Sequence, residues 1–128
     1  MKRYPENALA SLVLLASTYS ACAQSSSEVL AELAENLSTV RSASGAEPVG
    51  AEPIDVEGLL GVSRNSIASA LGIPDNCEEV DAEACSSKRQ WHFLFFYLPP
   101  DMLGGGPELW LNFDSEDNVE ESEWHLSR

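Results

Sequence analysis

His92 and His125 are the two histidines of the chain, and a general base or a metal ligand would be sought there first. A catalytic histidine needs an aligned nucleophile or carboxylate, and neither stands at motif spacing. The pair Cys77 and Cys85 joins them in no C-x-x-C or H-x-x-x-H pattern of a zinc site. The serines beside glycine make no G-x-S-x-G elbow. Gly104-Gly105-Gly106 is not followed by the Gly-Lys-Ser/Thr of a phosphate loop and reads as a connection. Asp114 to Asn118, "DSEDN", opens like a calcium loop. Its sixth position is Val119 where glycine is needed, and its twelfth is His125 where glutamate is needed. These residues describe a non-enzymatic chain with no catalytic group, no metal and no cofactor.

The cysteines carry more information. Cys77 and Cys85 enclose "CEEVDAEAC" and read as a disulfide, which suits an exported chain. The chain-entropy model assigns such a nine-residue loop about 2.5 kcal/mol. Export is signalled at the N-terminus, where Lys2 and Arg3 precede the apolar run "ALASLVLLA" and the small residues "STYSACAQ". That run is too short to span a bilayer, which takes about 20 residues. Two processing routes fit. Ala21-Cys22-Ala23 is an A-x-A cleavage site ahead of Gln24, and "YSAC" resembles the lipobox of bacterial lipoproteins, in which Cys22 becomes the acylated first residue.

The chain has 128 residues and a formal charge of −14, from 21 acids against 7 bases. Phosphate binding needs clustered Lys and Arg, so nucleic acid is disfavoured as a partner, as is direct adhesion to anionic lipid. The acidity reads as a solvated surface or as complementarity to a basic protein. Eight of the ten aromatic residues follow residue 90, which places the core in the C-terminal part.

The elements that must position these residues are marked by period and caps. Residues 1–23 form the signal. Residues 24–53 read as a flexible tether. Within it, Ser25 and Glu28 stand at capping-box spacing ahead of Val29, Leu33, Leu37 and Val40, the pattern of a marginal amphipathic helix. "SASGAEPVGAEP" has no apolar period and reads as linker. The domain is expected over residues 54–128. Asp55 caps a first short helix, "VEGLLG". Ser63 caps a second, which Gly72 and Pro74 close. The Ile67, Ala70 and Leu71 stripe, with Leu59, Leu60 and Val62, is expected on the aromatic face of a sheet.

Three antiparallel strands follow. "QWHFLFFYLPP" alternates Trp91, Phe93, Phe95 and Tyr97 against His92, Leu94, Phe96 and Leu98, so it is expected to be central and covered on both sides. "PELWLNFD" turns Leu109, Leu111 and Phe113 inward and Trp110 outward. Asn118 is expected to supply a positive φ in the next turn. "VEESEWHLS" slips phase between Val119 and Trp124, the sign of a bulge. The expected fold class is α+β, two short helices followed by a three-stranded antiparallel sheet in two layers. Phe96, Trp110 and Trp124 are the residues expected to form a partner-binding surface.

The ordered set Gly61, Ser63, Ile67, Leu71, Gly72, Pro74, Trp91, Phe93, Leu109, Leu111, Phe113 and Val119, over about residues 56–126, resembles the SmpA/OmlA (BamE-type) outer-membrane lipoprotein domain. The architecture is also similar to the repeats of β-lactamase inhibitor proteins. The resemblance implies a periplasm-facing protein of the bacterial cell envelope, tethered to the outer membrane if Cys22 is lipidated and otherwise periplasmic or secreted. It implies a partner among other envelope proteins, with a role in outer-membrane assembly or integrity. The alternative it implies is an inhibitor that blocks a hydrolase through its sheet face. Fold membership does not by itself transfer either role.

Overall fold

A computed structural model describes residues 25–77 and 82–126. The signal segment and Cys22 lie outside the described residues.

Helix α1, Ser26–Arg41, starts at a complete capping box. The Glu28 backbone N–H donates to the Ser25 hydroxyl at 3.2 Å, and the Ser25 N–H donates to Glu28 Oε1 at 3.0 Å. The hydrogen bonds from the Ser25 backbone and then its side chain hold the Glu28 carboxyl below its usual pKa. Val29, Leu33, Leu37 and Val40 recur on one stripe, and all four are buried. Burying side chains of this size stabilises a fold by about 2 kcal/mol each. This helix was expected to be a marginal element of a mobile tether; it is docked, and the core reaches back to Val29.

The expected first helix of the domain is a single 3-10 turn, Glu57–Leu59, which buries Leu59 and leaves Leu60 exposed. Helix α2, Arg64–Leu71, matches its sequence markers. The Ser66 N–H donates to the Ser63 hydroxyl at 3.1 Å, and Gly72 closes the helix at φ 80°, a region that favours glycine. Ile67 and Leu71 enter the same core as Trp91 and Phe93. Arg41, at the end of α1, donates to the carbonyls of Leu71 (3.0 Å) and Ile73 (3.1 Å) and pairs with Asp75 at 3.3 Å. These carbonyls have no partner inside α2, so a cation satisfies them and complements the helix dipole. Asp75 in turn accepts the Leu94 N–H at 2.8 Å, which ties both helices to the sheet.

The α+β class holds, but the sheet is larger than three strands. Strands β2 (Asn76–Cys77), β3 (Gln90–Leu94), β5 (Pro107–Phe113) and β6 (Val119–Leu126) form one antiparallel sheet in that order. Strands β1 (Val49–Gly50) and β4 (Phe96–Tyr97) form a separate antiparallel pair. The expected long aromatic strand therefore breaks at Phe95. Its second half pairs with Val49 and Gly50, inside the stretch expected to be linker. Trp91, Phe93 and Phe95 are buried, whereas His92 and Leu94 are half-exposed, so one face of the sheet is covered and the other is open. That corrects the expectation of a strand covered on both sides.

In β6 the expected phase slip is a bulge. Asn112 faces Glu121 and Phe113 faces Val119, which leaves Glu120 as the extra residue. In the preceding turn, Asp117 takes the positive φ (63°) that Asn118 was expected to take. The Asp114 carboxylate accepts the N–H groups of Glu116 (2.8 Å) and Asn118 (3.0 Å), so its side chain builds the turn.

Candidate functional site

The open face of the four-stranded sheet carries the most organised set of half-exposed side chains among the described residues. Strand register builds it. His92 stands opposite Trp110, Trp110 opposite Glu123, and Glu108 opposite His125. All lie outward because Trp91, Phe93, Leu109 and Leu111 alternate with them and point into the core. The Trp110 indole is clasped between two imidazoles. His92 stacks on one side, with centroids 4.2 Å apart and planes at 13°; His125 stacks on the other at 3.7 Å and 21°.

Each ring is also held by a polar neighbour two residues away on its own strand. His92 Nε2 meets Gln90 Oε1 at 2.8 Å, Trp110 Nε1–H donates to Glu108 Oε1 at 3.1 Å, and His125 Nε2 meets Glu123 Oε1 at 3.0 Å. A second cross-strand row lies beside the stack. Gln90 Nε2 donates to Asn112 Oδ1 at 2.8 Å, and Asn112 Nδ2 donates to Glu121 Oε1 at 3.0 Å. A shallow hollow of about 270 Å³ opens beside this row, lined by Arg89, Gln90, Asn112 and Glu121. The face is thus fixed by cross-strand contacts before any ligand arrives.

No match to this chain exists among protein-family models, curated proteins or solved structures.

The geometry limits what the face can do. Both faces of the indole are occupied, so Trp110 presents its edge and cannot stack a planar ligand. The indole also separates the two imidazoles, which cannot converge on one ion. Among the described residues, no group of three or more His, Cys, Asp or Glu side chains is placed to hold a metal. What remains is a flat, preorganised surface of ring edges bordered by carboxylates, suited to contact with another macromolecule.

The three residues expected to share a surface do not. Trp110 lies at the centre of the open face. Trp124 lies on the inner face, where it meets Phe95 edge-on at 5.1 Å and its Nε1–H donates to the Ile54 carbonyl at 2.7 Å. Phe96 is half-buried on β4 and packs over Gly106, where an added Cβ would come within 2.7 Å of the ring. The bulge explains Trp124. One extra residue at Glu120 reverses the alternation, so Val119 and Trp124 face inward together. His92 and His125 were the residues that sequence reasoning set aside. Their parity was readable on each strand, but their meeting at Trp110 depends on the β3–β5–β6 register, which no local pattern specifies.

Cys77 and Cys85 are disulfide-bonded, with Cα atoms 5.7 Å apart, and both are buried. Trp91 Nε1–H donates to the Cys85 carbonyl at 2.6 Å, which fixes the bridge against β3. Among the described residues no helix is long and apolar enough to cross a membrane.

Proposed function

We propose that the protein is a non-enzymatic, exported protein of the bacterial cell envelope whose open sheet face docks another envelope protein. The observation that carries this reading is the His92–Trp110–His125 stack, a rigid and half-exposed aromatic cluster at the centre of an uncovered sheet face. Aromatic side chains held in one geometry lose little entropy on association, and interface hot spots are enriched in them. The N-terminal export pattern and the likeness to the SmpA/OmlA domain support an outer-membrane lipoprotein anchored at Cys22, acting in envelope assembly or integrity. The rigidity of the same face also supports a second reading, a periplasmic or secreted inhibitor that covers a hydrolase.

Two measurements test these readings. The intact mass of the native protein distinguishes an acylated Cys22 from cleavage after Ala23. A photo-crosslinking residue placed at Glu123, on the open face, is expected to give one discrete protein adduct in intact cells. The same residue at Glu35, on the exposed side of α1, is expected to give none. Equal labelling from both positions, or none from Glu123, would remove the docking reading.

A further inference from the structure

We infer that the partner docks through a cationic patch, with arginine or lysine heads meeting Glu108, Glu121 and Glu123 and their aliphatic stems lying across the edge of the aromatic stack. This rests on the docking reading above and names the chemistry of the partner. The outward positions of β3, β5 and β6 carry three glutamates and no lysine or arginine. The carboxylates make neutral or histidine contacts within the face: Glu108 with the Trp110 indole, Glu121 with the Asn112 amide, and Glu123 with the His125 ring. Each carboxylate has further acceptor capacity, since an ionised carboxylate offers about four lone-pair sites. Three arginines among the described residues have carboxylate partners off these positions, including Arg89, which lines the hollow beside Glu121. Arg41 pairs with Asp75, Arg64 with Asp117, and Arg89 with Glu120. The whole chain adds a field of the same sign, with a formal charge of −14, which steers cations toward the face and repels a second copy. Ring edges beside carboxylates suit long cationic side chains, whose apolar stems cover hydrophobic surface while the head stays polar.

The test uses the full chain with its disulfide intact and three probes: an octa-arginine peptide, an octa-glutamate peptide and a Gly/Ser peptide of equal length. Titration of the arginine peptide is expected to shift the NMR signals of the Trp110 indole N–H and the His92 and His125 rings; the other two peptides are expected to leave them in place. Glu108→Gln/Glu121→Gln/Glu123→Gln should weaken the arginine peptide at least tenfold. Glu35→Gln/Glu47→Gln/Glu52→Gln removes the same charge from other exposed sites and should weaken it less than twofold. Equal weakening by both triples would mean that total charge alone acts, and would overturn the inference. So would shifts confined to residues off the sheet face. If the first triple loses its cooperative melt, Glu121→Lys replaces it, with at least threefold weakening expected and none contradicting. An adduct from Glu123 whose docking patch proves acidic or neutral would overturn the cationic partner alone; the absence of any adduct would remove the docking reading beneath it.

Discussion

The guanidinium of Arg64, the first residue of α2, lies 4.2 Å above the centre of the ring of Phe113, the last residue of β5. The same group is 5.1 Å from the Trp91 ring centre and donates to the carbonyls of Lys88 (2.7 Å) and Ser86 (3.2 Å) and to Asp117 (3.0 Å). Its side chain is only 13% exposed. One cation therefore joins the start of α2, the end of β5 and the turn before β6. Arg64→Ala should cost about 1–3 kcal/mol, because the part-buried Lys88 carbonyl and the exposed Ser86 carbonyl lose a charged donor and two buried rings lose their cation. Arg64→Lys should recover less than half, since an ammonium cannot reproduce the planar fork. Urea unfolding of both variants checks this; a loss under about 0.5 kcal/mol for Arg64→Ala would contradict it.

Helix α1 is part of the core, so its inward residues should behave as core residues. Leu33 is fully buried, and Leu33→Ala should cost about 2–5 kcal/mol. Exposed Glu35→Ala on the same helix should change stability by less than about 0.5 kcal/mol. A tether-like α1 would give small effects at both positions.

The ends of α2 were legible in the sequence because Ser63, Gly72 and Pro74 act locally. The disulfide was legible from cysteine count and compartment, and the β6 bulge from a break in alternation. The docking of α1 was not, because Val29, Leu33, Leu37 and Val40 make the same apolar stripe whether or not a core receives it. The β1–β4 pair was hidden for a related reason: Val49 and Gly50 have no strand pattern of their own and are ordered by pairing with Tyr97 and Phe96. The aromatic stack was hidden most deeply, since it joins three strands through a register fixed by the whole sheet.

Gly106 should resist substitution. An added Cβ would lie 2.7 Å from the Cβ and Cγ of Phe96, closer than packed atoms approach. Gly106→Ala should cost about 1–3 kcal/mol. Phe96→Ala in the same chain should recover part of that loss, because the contact with Cγ and Cδ1 is removed. A thermal melt of the double variant no better than the sum of the single losses would contradict the close approach.

Reducing the Cys77–Cys85 bridge, or replacing both by serine, should lower stability by about 2.5 kcal/mol while leaving the strand signature of the circular dichroism spectrum in place. Loss of cooperative unfolding would show instead that the bridge organises the sheet itself.

The start of α1 should carry a pH signature. The Glu28 carboxyl is held below its usual pKa by Ser25, through the backbone hydrogen bond first and the side chain second. A depressed carboxyl contributes stability above its unfolded pKa, and the contribution fades as pH falls through its folded value. As pH falls through and below the usual carboxylate range, the urea midpoint should therefore fall more steeply for the native chain than for Glu28→Gln. Parallel curves would contradict the capping box.

The central claim is that Trp110, fixed by His92 and His125, forms the heart of a protein-docking face. It is tested most directly by the affinity of the partner recovered at Glu123 for the native chain and for Trp110→Ala. Trp110 stands outside the buried core, so the variant should keep its cooperative melt and lose at least tenfold in affinity. A folded Trp110→Ala that binds the same partner as tightly as the native chain would contradict the account.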